Sequence, residues 1–231
     1  QEAIESVLRQ IIQVKVIGKE AAIEKVQLET DEKEEADYRA KTVFDSIPAK
    51  DKQTQGIELK VLSKIFEENK LAQKMYNVQM GKLKIDYAAN TLSAAKVELI
   101  YQAANAKNKE TVKNTMSQIL SEVTSSQNSF YTVAKNKTQA DAIEYVIGNQ
   151  DSRTNLAKAV VSLKKNQTSA LIEEKDGFYI AHCIQTNSAA LQQQYRNQLV
   201  SEKQTESFQK IYKTWSDKFD VKVSKALLAA N

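Results

Sequence analysis

Residues 175–184 read KDGFYIAHCI, and this stretch decides the fold of the central part of the 231-residue chain. The triplet KDG at 175–177 is a turn signal, and the β-prone residues that follow it predict a strand. The segment 169–173, which precedes the turn, is the expected hairpin partner. The sequence therefore predicts an antiparallel hairpin near the end of a central domain.

The faces of this strand follow from the period of two in extended chains. Alternation places Tyr179 and Cys183 on one face and His182 on the other, toward the helices. We interpret His182 as a core or boundary residue. Cys183 is interpreted as a small apolar filler, because a nucleophilic thiol needs a neighbouring base and the sequence identifies none.

The segments before the hairpin alternate between strand and helix patterns. A run with period two occupies 96–101, with Val97, Leu99 and Tyr101 on one face. Three helices and one polar loop are predicted to follow it: a helix at 108–126, a short helix around 130–134, a loop at 135–152 and a helix at 153–163. The order predicts a compact α+β domain over residues 93–187.

The two ends of the chain carry long amphipathic helix patterns. These patterns cover 1–28, a second helix from a cap at Thr30 or Asp31 to Ile47, 55–80 and 189–218. Each apolar stripe needs a partner to be buried. We therefore predict an α+β protein whose helical domain is built from residues 1–92 and 188–231 around the inserted domain.

Composition excludes several classes of site. The chain has five Gly, one Pro, one Cys and one His, with a net charge of +4. A Cys/His zinc site and a disulfide framework are excluded, and the sequence holds no glycine-rich phosphate loop. We expect no metal and no cofactor. We also expect no nucleic-acid partner, because the Lys and Arg residues are interspersed with acids, and no apolar run is long enough to span a membrane.

Several motifs resemble one known family. Residues 156–169, LAKAVVSLKKNQTS, followed by DGFYI at 176–180, are similar to the parvulin pattern of an F-x-x-A helix, a serine and a G-[YF]-H-I-I strand. The segment 129–134 resembles the parvulin F-x-x-L-A helix, and 97–100 resembles its first strand. With its helical ends, the chain resembles the bacterial SurA/PrsA group of foldases, in which a helical chaperone domain surrounds a parvulin-type prolyl isomerase domain.

The resemblance implies a candidate prolyl pocket of Glu98, Phe130, Leu156 and Tyr179. The two histidines of the family fall at Glu98 and Tyr179, and its pocket phenylalanine falls at Leu156. We expect Glu98 and Tyr179 to face the same pocket from adjacent strands. We hypothesise that the Tyr179 hydroxyl donates a hydrogen bond to the Glu98 carboxylate in place of the histidine pair.

The same resemblance implies partners and a location. Unfolded or extended polypeptides are the expected clients, and Met75, Tyr76 and Met80 are candidate client-binding residues because methionine surfaces adapt to varied partners. The chain begins at Gln1 without a methionine, so it is a processed product or a trimmed one. We expect an extracytoplasmic protein exported by a removed signal peptide, with a lipid anchor as one mode of membrane attachment.

Three functions remain open at this point. The first is a folding factor that retains parvulin-type prolyl isomerase activity. The second is a binding chaperone whose isomerase domain is catalytically silent, because both histidine positions are substituted. The third is a structural helical surface protein without clients.

Overall fold

The computed structural model describes residues 2–88, 91–125 and 128–220. The chain divides into two compact units. One unit joins residues 1–84 to residues 203–231, and the other comprises residues 85–202. The predicted roles of a chaperone domain and an isomerase domain, with their boundaries, remain predictions.

The secondary structure combines helices with an antiparallel sheet, as the class α+β requires. The helices are α1 (Glu2–Ile23), α2 (Thr30–Ser46), α3 (Ala49–Gln55), α4 (Leu59–Gly81), α5 (Lys109–Thr124), α6 (Phe130–Lys137), α7 (Thr154–Ser162) and α8 (Ala189–Ser216). The strands are β1 (Ala94–Ala103), β2 (Glu144–Gly148), β3 (Ile172–Glu173) and β4 (Gly177–Gln185). The predicted fold class is confirmed.

The helical unit buries its apolar side chains between α1, α4 and the end of α8. Its core contains Val16, Ile17, Ala21, Met75, Met80, Phe208 and Trp215. The helix α2 packs on α4 and buries only Ala36 and Ala40. Its N-cap is Glu29, rather than Thr30 or Asp31, and the Glu29 backbone N–H donates to Glu32 at 2.8 Å.

The second unit is built on a four-stranded antiparallel sheet of order β2-β1-β4-β3. The helix α7 packs on one face of the sheet, with a core that includes Val97, Leu99, Leu156, Val160, Tyr179, Ala181 and Cys183. The helices α5 and α6 cover the other face, with a core that includes Ile100, Met116, Ile119, Phe130, Phe178 and Ile180. The two faces therefore belong to different cores.

The first half of α8 completes this unit. Tyr195 is buried with Leu92, Ala94 and Leu199, and its hydroxyl accepts from the Gln150 backbone N–H at 3.1 Å. Gly148 ends β2 directly against this ring. A Cβ added there would lie 2.3 Å from Cε1 of Tyr195, so only glycine allows the contact.

Two elements were not predicted. Residues 135–152 were expected to form a loop, but 144–148 form the edge strand β2, with Ile147 buried on the α7 side. The short helix α3 begins after Pro48 and ends at Gly56, whose φ is 63°. The predicted parts of elements and domains at residues 1, 89–90, 126–127 and 221–231 lie outside the described residues.

Candidate prolyl-binding site

Tyr179 lies on β4 and faces α7. It pairs with Tyr101 on β1, and the two rings stack with centroids 4.6 Å apart and an interplanar angle of 26°. Tyr179 is only 3% exposed, while Tyr101 is half-buried. The pair forms an aromatic layer on the α7 face of the sheet.

The turn before β4 holds the hydroxyl groups of both tyrosines. The Tyr179 hydroxyl donates to Oδ2 of Asp176 at 2.5 Å, and the Tyr101 hydroxyl donates to the backbone carbonyl of Asp176 at 3.0 Å. Burial raises the pKa of Tyr179, and its hydrogen bond to Asp176 adds to this. Both rings are therefore held in one orientation as neutral phenols.

Arg153 lies beside Tyr179, directly before the first residue of α7. Its guanidinium binds the Asp151 carboxylate through Nε at 2.9 Å and Nη2 at 2.7 Å, and it lies 5.6 Å from the Tyr179 ring centroid. The hydrogen bond to Asp151 is the largest cause that raises the pKa of Arg153. This two-pronged ion pair fixes the cation over the aromatic face.

Leu156 reaches the site from the first turn of α7. The Glu174 carboxylate accepts the backbone N–H groups of Asn155 at 2.7 Å and of Leu156 at 2.9 Å, so it satisfies two free donors at the helix start. The Leu156 side chain is fully buried in the same core as Tyr179. It is part of the packed interior rather than the wall of an open slot.

The predicted bond between Glu98 and Tyr179 is wrong. Glu98 pairs with His182 on β4 and with Glu144 on β2, so it lies on the face opposite Tyr179. Burial raises the pKa of the Glu98 carboxyl, and the Glu144 charge adds to this. The β1 residue that lies against Tyr179 is Tyr101.

Phe130 also lies on the face opposite Tyr179. Its ring stacks on His182, with centroids 5.3 Å apart, and Nδ1 of His182 lies 2.9 Å from Oγ1 of Thr168. Burial lowers the pKa of His182. The four predicted pocket residues thus divide into Leu156 and Tyr179 on one face, and Glu98 and Phe130 on the other.

The predicted faces of the β4 residues agree with the structure. Cys183 is buried on the Tyr179 face, where burial raises the pKa of its thiol, and His182 lies on the opposite face. Arg153 and Asp176 also belong to this site, and the sequence pattern does not predict them there. A signal for Tyr101 existed, since alternation along 97–101 placed it on one face with Val97.

The candidate client-binding residues are part of a core. Met75 is fully buried and Met80 is 7% exposed, both in the core of the helical unit, and the Tyr76 ring packs edge-on against Phe208 at 4.9 Å. They do not form an exposed surface. Large exposed apolar side chains of this unit lie elsewhere on α1 and α4, namely Ile4, Val7, Ile11, Val61 and Ile65.

Three of these exposed side chains, Val7, Ile11 and Ile65, line an apolar groove within the helical unit. The groove has a volume of about 350 Å³ and is lined by Val7, Ile11 and Val14 of α1 and by Ile65 of α4, with polar residues at its rim. The Lys15 ammonium binds Glu68 at 2.5 Å across the same two helices. An apolar surface of this kind is a candidate binding site for polypeptide segments.

Within 2–88, 91–125 and 128–220, no helix has the length and hydropathy to cross a membrane. Over the same ranges, the His, Cys, Asp and Glu side chains do not form a group of three or more with metal-binding geometry.

Comparisons with solved structures return foldases and isomerases. PrsA of Bacillus anthracis is 15% identical over 94% of this chain and 99% of that chain, with a TM-score of 0.47. PrsA of Streptococcus pneumoniae is 15% identical over 98% of this chain and 88% of that chain, with a TM-score of 0.39. A PpiC-type isomerase domain is 21% identical over 44% of this chain and 98% of that domain, with a TM-score of 0.39.

The comparison with family models identifies the sheet-containing unit. No curated protein matches the chain. Residues 91–185 match the rotamase family model, described as a PPIC-type PPIASE domain. These residues cover all four strands and the helices α5, α6 and α7. The segment 91–185 of this chain is therefore a domain of the PPIC-type peptidyl-prolyl isomerase family.

Proposed function

We propose that this chain is an extracytoplasmic folding factor that binds unfolded exported polypeptides, and that its PPIC-type domain does not isomerise prolyl bonds efficiently. The observation that carries the proposal is the closed Tyr179 site. The resemblance places Tyr179 at one histidine position of the family, and its side chain is buried in one core with Leu156 and stacks on Tyr101.

The chemistry of isomerisation explains why this site does not favour catalysis. Rotation about an X–Pro bond crosses a barrier of about 18–20 kcal/mol, and a protein lowers it by binding the twisted state better than the planar states. An apolar slot for the proline ring is the minimum requirement. Here Leu156 is fully buried, and Asp176 and Arg153 hold the aromatic layer in place.

The helical unit supplies an apolar surface for clients. Val7 is 54% exposed and Ile11 is 47% exposed beside the groove between α1 and α4. Burying such side chains against an extended segment removes apolar area from water without requiring a particular client sequence. This property suits a protein that binds many unfolded chains. The location outside the cytoplasm is proposed from the resemblance to the SurA/PrsA group.

Two assays test the proposal together. The first measures isomerisation of a panel of X–Pro peptides, and the second measures aggregation of a chemically unfolded client. We expect no acceleration in the first and suppressed aggregation in the second. A different result would overturn the proposal that the domain is catalytically silent. The wild-type chain would accelerate isomerisation, and Leu156→Val would reduce that acceleration without changing the circular dichroism spectrum, which would show a working prolyl site.

A matched pair of variants tests the groove. Val7→Ser combined with Ile11→Ser removes two exposed apolar side chains from its wall, and we expect weaker suppression of aggregation. Ile23→Ser removes a side chain that is 62% exposed on the same helix but does not line the groove, and we expect it to have no effect. Failure to suppress aggregation by the wild-type chain would favour a structural surface protein instead.

A further inference from the structure

The helix α2 covers a basic stripe of α4. Phe66, Lys70 and Lys74 are spaced by four residues and therefore lie along one face of α4. The Lys74 ammonium binds Glu32 at 2.6 Å and lies 3.6 Å from Glu29. The Lys70 ammonium binds Glu35. Three acidic residues of the α2 region thus neutralise the two lysines of this stripe.

Apolar packing contributes little to this contact. The seventeen residues of α2 bury only Ala36 and Ala40, whose side chains remove little apolar area from water. Tyr38 and Val43 are exposed. A groove of about 540 Å³ remains between the two helices, lined by Ala36 and other α2 residues and by Phe66 and other α4 residues.

Charge pairs therefore hold α2 in place. Opposite charges account for the lowered pKa of Glu32, whose largest cause is the hydrogen bond from Lys74, and of Glu35, whose largest cause is the hydrogen bond from Lys70. Partly exposed ion pairs are individually weak and are screened by salt. An element held in this way opens by local unfolding more readily than one with a buried apolar face.

We propose that α2 is a displaceable internal ligand, and that the Phe66–Lys70–Lys74 stripe of α4 is a docking surface for acidic polypeptide segments. We infer the chemical character of the docking segment from α2 itself. It has carboxylates three residues apart, at Glu29, Glu32 and Glu35, followed by small side chains that let the two backbones approach. A segment with this pattern matches the stripe in charge once α2 has moved away.

The proposal rests on the proposed binding of polypeptides, but it concerns a different surface from the groove of Val7 and Ile11. Because α2 and an acidic segment would bind the same two lysines, they compete for this stripe. The apparent affinity for an acidic segment equals the intrinsic affinity multiplied by the fraction of molecules in which α2 is displaced. Variants that loosen α2 while keeping the two lysines should therefore bind more tightly.

The test uses two double variants that both loosen α2 and one labelled peptide. Glu32→Gln with Glu35→Gln removes the two acids that bind the lysines most closely, and Lys70→Gln with Lys74→Gln removes both lysines. The probe is a fluorescein-labelled peptide with the sequence of residues 29–46, followed by fluorescence anisotropy at low salt. Amide hydrogen exchange measures the opening of α2 in the same full-length proteins.

The two variants should respond in opposite directions. We expect faster exchange in α2 for both variants. Peptide binding should be about tenfold tighter than wild type for Glu32→Gln with Glu35→Gln, and absent for Lys70→Gln with Lys74→Gln. A peptide with glutamine at the positions of Glu29, Glu32 and Glu35 should not bind. Two further double variants are matched controls for charge: one combines Glu34→Gln with Asp37→Gln, and the other combines Lys60→Gln with Lys64→Gln. All four side chains are exposed and lie outside these ion pairs.

Three results would overturn the inference. Unchanged exchange in both variants would show that the ion pairs do not hold α2. Faster exchange without peptide binding would show that the stripe is not a docking surface, and equal binding to both variants would show that the lysines do not select acids. Suppression of client aggregation is measured in parallel, so that loss of the general folding function is distinguished from loss of this surface.

Discussion

Tyr179 lies directly opposite Tyr101 across β4 and β1, and the two hydroxyl groups end on the same residue, Asp176. One accepting atom is the carboxylate and the other is the backbone carbonyl. The turn at 175–177 therefore does more than reverse the chain, because it fixes both rings. In this domain an aromatic pair occupies a place where the resemblance leads one to expect a histidine.

The hydroxyl of Tyr179 should contribute to stability. Tyr179→Phe removes the donor to Asp176 and leaves the ring stack in place, and we expect a loss of about 1 kcal/mol in the free energy of unfolding. Urea denaturation measures this change. Tyr131→Phe is the control, since Tyr131 is 46% exposed. Equal stability of wild type and Tyr179→Phe would contradict a structural role for the bond.

Alkaline pH should destabilise the sheet-containing unit. Burial raises the pKa of Tyr195 to about 12 and raises those of Tyr101 and Tyr179 above the ordinary value of 10. A raised pKa of an acid means that the folded state binds the proton more tightly, so this stability is fully present below pH 10 and is lost as the pH rises above it. Tyrosinate absorbance and unfolding followed together should show the loss, and titration of all tyrosines at pH 10 in the folded chain would contradict it.

Gly148 should tolerate no side chain. In Gly148→Ala the new Cβ would meet Cε1 of Tyr195 at 2.3 Å and the Ser93 carbonyl oxygen at 2.6 Å, so we expect a destabilisation of about 1–3 kcal/mol. The control is Gly18→Ala in α1, where no atom lies within 4 Å of the new Cβ. That change should stabilise the helical unit by about 0.5–1 kcal/mol, because alanine favours helix. Thermal unfolding of both variants gives the comparison.

Acid should release α2 before the rest of the helical unit. Glu32 and Glu35 have lowered pKa values in the folded state, so the stability they contribute is present above the ordinary glutamate pKa and is lost as the pH falls through the lowered values. Hydrogen exchange of α2 amides, corrected for the intrinsic pH dependence, should show increased opening below about pH 4. The amides around Met75 in α4 should stay protected, and parallel loss of both would contradict separate release.

The limits of prediction from the sequence have physical causes. Helix periodicity predicted α1, α4, α5 and α7 because each must bury an apolar stripe, and alternation along β4 predicted the faces of Tyr179 and His182. The prediction for Glu98 was wrong because cross-strand register decides which β4 residues share its face. A register shift of one residue moves a side chain to the opposite face. Register is set by pairing with β2 and β4, which one strand alone does not reveal.

The site residues show the same limit. Tyr101 was placed on the correct face of its own strand, but its contact with Tyr179 depends on the pairing of β1 with β4. Arg153 and Asp151 are separated by one residue, and nothing in their spacing indicates an aromatic partner. Met75 and Met80 are buried in one core with Phe208 and Trp215, which are more than a hundred residues away in the chain.

The discontinuous helical core also bears on how the protein is made. Val16, Ile17 and Met75 are synthesised well before Phe208 and Trp215, which share their core. The PPIC-type domain is complete in sequence before the helical unit can close. A nascent chain of this protein therefore presents an incomplete apolar core until α8 has been synthesised.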